Sequence, residues 1–514
     1  MKRITPLLLA ITALLSCNSK ENSSIFYISY TNKNTQADVS INSQRKSSED
    51  VDYSLLKAGD TIFLQSEDIR GSIHINSLVA GTPEKPIVIM PKENNKTKII
   101  SGDKIGLHIR NSHNIKIERL HLIGSGRKDG NTKDGLFIES CDNISVADIE
   151  TEGYQKSGLY ILKSFNITVD GVYAHNNGYA GVFVSGIYGD KESSKNIILR
   201  NCKTDDNPGD PTNLKSHSGN GILLGSCSNS LIEYCSATNN GWDMPRVGNG
   251  PVGIWIYDAD NILIQYCISY RNKTSKGSED GGGFDFDGGV TNSTIQYCLS
   301  YENEGGSFGL FEYEGARPWY NNTVRYCISE NDGLVSHARA SVYIWNANED
   351  STLLKDCYFY NNTIYNDKGA AICFHENSAH KNFNFYNNIF ISQDDLITGN
   401  WQNDTFLANC WYSLNNNGFK IGDINSLEDW AKIYNKELFD GNITGLNILP
   451  EFEKSEKTNI TDPKQLSSYF VYRLPENSIL KTSGLNLSEQ FGIITAEKDF
   501  NQQKILPNGI GAGQ

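Results

Sequence analysis

The chain repeats one short phrase: a glycine, an apolar residue, any residue, an apolar residue. It occurs at Gly106-Leu-His-Ile, Gly135-Leu-Phe-Ile, Gly158-Leu-Tyr-Ile, Gly181-Val-Phe-Val, Gly221-Ile-Leu-Leu, Gly253-Ile-Trp-Ile and Gly283-Phe-Asp-Phe. A second apolar run lies behind it, as in Asn143-Ile-Ser-Val, Asn166-Ile-Thr-Val and Asn261-Ile-Leu-Ile. A third segment then ends in asparagine, as in Ala174-His-Asn-Asn. At its tightest, Gly135 to Gly158 to Gly181, the repeat takes 23 residues. A period in this range, made of short strands and Asn or Gly turns, specifies a solenoid. Three strands per turn make it a parallel β-helix, an all-β stack whose function sits on one outward face.

Such a stack grows by adding coils, so 514 residues fit one body without an oversized core. The net charge of −14 argues against nucleic acid as partner, since the sequence shows no basic stripe to neutralise phosphates. It also weighs against a strongly anionic glycan. Six of the eleven cysteines take equivalent places in successive coils: Cys202, Cys235, Cys267, Cys298, Cys327 and Cys357. Stacked about 4.8 Å apart, they read as a packed column of free thiols rather than disulfides.

Residues 25–100 read as an N-terminal cap with the first coils. Their Gly59-Asp-Thr-Ile and Gly81-Thr-Pro-Glu-Lys-Pro-Ile-Val-Ile resemble the opening of right-handed parallel β-helix proteins of the pectate-lyase-like superfamily. The resemblance spans residues 25–412 and implies a fold more than an activity. The helix proper runs over 101–412. Residues 413–514 lose the repeat and read as a C-terminal capping segment without chemistry, with one short helix at Leu427-Glu-Asp-Trp-Ala-Lys-Ile-Tyr.

The coils lengthen at 205–220, 239–252 and 271–282, each just before a Gly-led strand. Insertions at one corner build a wall beside one sheet. Side chains alternate along a strand, so the outward pairs of that sheet are Phe137/Glu139, Tyr160/Leu162, Phe183/Ser185, Leu223/Gly225, Trp255/Tyr257 and Asp285/Asp287. Phe311/Tyr313 and Tyr343/Trp345 continue the series. Asp is depleted in strands and like charges on one face repel, so Asp285 and Asp287 are the first catalytic candidates. Aromatic faces suit sugar rings, and paired carboxylates suit acid/base or nucleophilic work on a glycosidic bond. The ordinary reading of Asp280-Gly-Gly-Gly-Phe-Asp-Phe-Asp is a turn with solvated aspartates. Asp280, Asp285 and Asp287 are also candidates for Ca²⁺ through oxygen ligands.

Glu312 falls inward by strict alternation. Either the register slips there or a partner holds the carboxyl. Glu314 and His217 complete the catalytic candidates; Trp255, Tyr257, Tyr313, Trp345, Trp242, Arg246, Arg317 and His337 are the binding candidates.

Three functions fit these residues. The first is a glycoside hydrolase. The second is a cation-assisted polysaccharide lyase, whose base must come from Arg246, Arg317 or Lys215 on loops. The third is a non-catalytic glycan-binding protein. The Asn-Thr-Asp, Asp-Asp and Gly-His-Gly set of the polygalacturonase group does not occur. No cofactor is called for beyond that Ca²⁺, and the expected state is a monomer with a polysaccharide or oligosaccharide partner.

Met1-Lys2-Arg3, the apolar run Leu7–Leu15 and Leu14-Leu-Ser-Cys17 resemble the signal peptide and lipobox of bacterial lipoproteins. That implies cleavage before Cys17, lipidation of Cys17, a tether over 18–24 and a lipid-anchored place in the cell envelope. Cys17→Ala is expected to abolish lipid attachment, releasing soluble protein or leaving the precursor unprocessed. Detergent phase partitioning checks this, and membrane retention equal to wild type rules out the lipobox.

Overall fold

The computed structural model describes residues 56–514, apart from 66–67, 336–338, 377 and 455–459, and the backbone of three strands before them. Cys17, the stretch 18–24 and His337 lie outside the described residues. The coils form a right-handed parallel β-helix. Twelve parallel strands, from Ile73–Asn76 to Ile397–Gly399, make the Gly-led sheet, and a larger sheet takes the other two strands of each coil. No described helix is long and apolar enough to cross a membrane.

The inward column of the Gly-led sheet is unbroken. Leu136, Leu159, Val182, Ile222, Ile254, Phe284, Phe308, Val342, Ile372 and Ile397 pair in succession. All are fully buried or nearly so, each removing its side chain from water for roughly 1.5–3 kcal/mol. Glycine opens these strands because the corner is crowded: a Cβ on Gly253 would lie 2.0 Å from Ser269 Oγ. Asparagine opens the second strands because the corner needs a left-handed backbone. Asn143, Asn166, Asn261 and Asn292 have φ near +53°, a region Asn tolerates better than most residues.

Five cysteines form the expected column. The register aligns Cys202, Cys235, Cys267, Cys298 and Cys327, all buried and free. Each thiol donates to the carbonyl two residues before it, as Cys267 does to Gln265 O at 3.2 Å. Burial pushes the Cys235 and Cys298 thiols up. Cys357 is a correction. It pairs with Asn322, five residues before the column, and the place beside Cys327 goes to Asn362. From there the column continues in a different chemistry. Asn362 donates to Asn388 at 3.1 Å, Asn388 to Asn409 at 3.0 Å, and Asn409 to Glu437 at 2.7 Å.

A second buried ladder crosses five coils. Asn177, Asn207, Asn240, Asn272 and Asn303 each pass an amide N–H to the next Oδ1, at 2.8 to 3.1 Å, and the last donates to Asp332 Oδ1 at 2.7 Å. Each amide both accepts and donates, so the final position needs only acceptors. Asp332 and Glu437 supply them, and burial pushes both carboxyls up to about 7.

Residues beyond 413 close the body in two ways. The helix α1 (Leu427–Tyr434), capped by Ser426 and by Asn435 at φ +55°, sets Trp430 against Trp411, Trp401, Phe406 and Phe419 at the open end of the core. Further on, Ile460, Leu466, Tyr469 and Val471 cover Tyr270, Tyr301 and Ile328 on the outside of the larger sheet.

The Asp332 carboxyl has a folded pKa above its ordinary value. Its contribution to stability is therefore complete at acid pH and is lost as pH rises through about 7. Asp332→Asn keeps an acceptor for Asn303 and removes the buried charge. Its stability relative to wild type is expected to rise between pH 5 and pH 9, by up to a few kcal/mol. Thermal unfolding across that range checks the sign.

Candidate functional site

The outward face of the Gly-led sheet changes character along its length. In the early coils His108, Phe137, Tyr160 and Phe183 stack face to face, with centroids 4.7 to 4.9 Å apart and planes within 8°. Their faces are used by one another, so Phe137, Tyr160 and Phe183 offer only edges to a ligand. At the next coils the stack ends. Leu223, Val252 and Trp255 form a small apolar cluster under Tyr179, Phe183 and Tyr257.

Beyond that cluster the three long loops fold over the sheet and enclose a cleft of about 590 Å³. Its floor follows from the register: Trp255 pairs with Asp285, Asp285 with Gly309, and Gly309 with Tyr343. Its walls include His217, Asn249 and Glu279 from the loops, then Phe311, Tyr313, Glu314, Trp345 and His375. Phe311 meets Tyr343 and Trp345 edge to face, at 79° and 82°. Tilted rings leave faces open, unlike the stacked rings upstream.

Asp285 is buried rather than solvated, with 4% of its surface exposed, and its Oδ1 has no hydrogen-bond partner among the described residues. Burial raises its pKa well above the carboxylate range, with the charges of Asp287 and Asp280 adding to the shift. Asp287 accepts from the Gly288 N–H at 2.8 Å, and burial pushes it up to about 7. Asp280 Oδ2 accepts from Gly250 N at 2.7 Å, which ties the second long loop to the third. Among the described residues no three His, Cys, Asp or Glu side chains are placed to hold a metal ion.

Gly309 makes room for Asp285. A Cβ there would lie 2.7 Å from the Phe311 ring and 3.0 Å from Asp285 Oδ1. This glycine also resolves the ambiguity at Glu312. Phe284 pairs with Phe308, so the strand is displaced by two residues from an alignment of Gly309 with Gly283. A two-residue slip leaves every side chain on its own face. Phe311 therefore lies opposite Trp345, and Glu312 stays inside. Glu312 Oε2 accepts from the Gly289 N–H at 3.3 Å, Oε1 has no partner among the described residues, and burial beside Asp287 pushes the carboxyl up to about 8.

Four sequence candidates lie elsewhere. Arg317 is not a cleft residue: Nε donates to Asp258 Oδ1 at 2.8 Å and Nη1 to Gly189 O at 2.7 Å, where it joins two loops. Trp242 is exposed on another side, its Nε1 donating to Asp206 at 2.7 Å. Tyr257 leans back over Gly225, where a Cβ would meet its ring at 2.2 Å. Arg246 donates to Asn249 O at 3.0 Å, and its charge adds to burial in lowering the pKa of His217. Gly309, Glu279 and Asn220 escaped the sequence reading. The role of Gly309 depends on its register opposite Asp285, and the other two depend on loop placement.

The family described as "Right handed beta helix region" matches residues 92–241 and 212–357, together more than half of the chain. The chain belongs to this family. No curated protein matches it. Similar solved structures include native GH136 lacto-N-biosidase from Eubacterium ramulus, at 14% identity and TM-score 0.44, covering 67% of this chain and 63% of that one. The Agl-KA catalytic domain gives 13%, 0.44, 66% and 60%. A mutant of the periplasmic alginate epimerase AlgG gives 12%, 0.40, 66% and 80%. At such identities the likeness is one of fold.

Gly309→Ala is expected to cost about 1–3 kcal/mol, since Phe311 or Asp285 must move to admit the methyl group. Thermal or denaturant unfolding against wild type measures it.

Proposed function

We propose that the cleft cleaves a glycosidic bond in a neutral oligosaccharide or polysaccharide, with Asp285 as general acid and Asp287 as its carboxylate partner. The observation that carries this is the pair itself: two carboxyl groups two residues apart on one face, both desolvated and both raised in pKa, in an aromatic-walled cleft. Asp285 has lost its solvent and holds its proton. Asp287 keeps a backbone N–H donor that favours the anion. The two thus divide into acid and base or nucleophile.

Hydrolysis is favoured over lyase chemistry by the lining. Glu279, Asp280, Asp285, Asp287 and Glu314 face the cleft, and no Lys or Arg is among its described lining residues. A uronate carboxylate would meet a lining rich in acidic groups there. Phe311, Tyr343 and Trp345 supply apolar faces for sugar rings. We further propose that the protein works at the cell envelope, held by lipid on Cys17.

Asp285→Asn and Asp287→Asn are each expected to lower turnover by at least ~100-fold. With wild type, turnover should rise as Asp287 ionises through about 7 and fall again as Asp285 loses its proton at higher pH. A panel of neutral and uronic polysaccharides, read for reducing ends and for unsaturated uronate absorbance, tests the reading. Near wild-type activity in both variants, or unsaturated products, would overturn it.

A further inference from the structure

We infer that Asn220 holds His217 as the neutral tautomer with its proton on Nε2, so that the imidazole serves the cleft as a hydrogen-bond donor. This rests, for its substrate, on the glycan reading above. For its geometry it rests on three contacts.

Asn220 is fully buried and its amide is completely used. Trp255 Nε1 donates to Asn220 Oδ1 at 3.0 Å. An indole N–H only donates, so the amide atom facing it is oxygen. On the other side Nδ2 lies 3.1 Å from Tyr179 O, which only accepts. Turning the amide over would oppose two oxygens at Tyr179 and two N–H groups at Trp255. Its orientation is therefore fixed twice, independently of the histidine. The remaining amide hydrogen points at His217 Nδ1, 3.1 Å away. Nδ1 must accept, and in a neutral ring the proton is then on Nε2.

Protonating Nδ1 would set N–H against N–H in a half-buried place, which costs the contact and leaves a donor unpaired. Burial and the neighbouring Arg246 charge act the same way, lowering the His217 pKa to about 4. The ring cannot swing away easily. It packs edge to face on Trp255 at 4.7 Å and against Tyr179 at 5.8 Å, and Asn213 Nδ2 holds its carbonyl at 3.1 Å. His217 therefore lines the cleft with a donor and not with a cation or a base. The substrate group beside it is an oxygen acceptor: a hydroxyl, a ring oxygen or an amide carbonyl. Asn220 is a positioning residue, acting through the histidine.

Protein labelled with ¹⁵N in its imidazoles tests this without substrate. His217→Gln identifies the His217 signals by their loss. The expected spectrum is a single neutral Nε2–H pattern at pH 7 that persists at pH 5.5, where an unconstrained histidine is mostly charged. An Nδ1–H pattern at pH 7, or a doubly protonated ring at pH 5.5, overturns the proposal. Asn220→Asp replaces the amide donor by an acceptor and should convert His217 to a ring protonated on Nδ1. An unchanged pattern in a folded Asn220→Asp protein also overturns it. On an active glycan, His217→Phe should raise KM about 3–10-fold with kcat little changed, and His217→Gln, which keeps an N–H, should recover part of the loss. Equal collapse of kcat in both variants would make His217 a proton-transfer group and sink the donor role. The spectra stand or fall without any substrate, so failure of the glycan reading is seen separately.

Discussion

Backbone hydrogen bonds from coil to coil hold equivalent residues in line, and every other feature of the molecule inherits that register. One apolar column runs unbroken from Leu136 to Ile397. A column of amides can run through the same core only because each amide accepts from one side and donates to the other. Such a ladder needs, for its last amide, a group that accepts without having to pass a hydrogen on. It ends on Asp332 in one case and Glu437 in the other, and the raised pKa of each is the cost of burying the acceptor.

The same stacking explains where a ligand does not bind. Rings one coil apart lie close enough to stack, so His108, Phe137, Tyr160 and Phe183 satisfy one another. A binding face requires that the stack be interrupted. Leu223 interrupts it first, and Gly309 opens the floor where Asp285 needs space. Between them the sheet carries the aspartates, and the long loops remove their water. The perturbed carboxyls of the cleft follow from that cover as much as from the strand that bears them.

The loops are held by polar contacts that look incidental in the sequence. Arg317 joins two coils through Asp258 and Gly189. Asp280 holds Gly250. Asn220 ties one loop to the floor through Trp255, and in doing so sets the hydrogen on His217. Shape and proton placement in the cleft share these anchors.

The sequence by itself determined the solenoid, because the period and alternation are local and each strand needs only its own residues to declare a face. It also placed Asp285 and Asp287 on the outward side, and α1 at Leu427–Tyr434. The spacing places five cysteines in one column but not Cys357, because the coil from Cys327 to its partner Asn362 spans 35 residues and Cys357 falls short of the column. Tertiary structure alone decided the rest. The two-residue slip at Gly309 keeps the alternation intact, so no face pattern reveals it. Whether Asp285 is solvated depends on loops from other coils, and whether Arg317 or Trp242 reaches the cleft depends on partners many residues away. Those are contacts between coils, and a repeat that specifies each coil so economically carries no record of them.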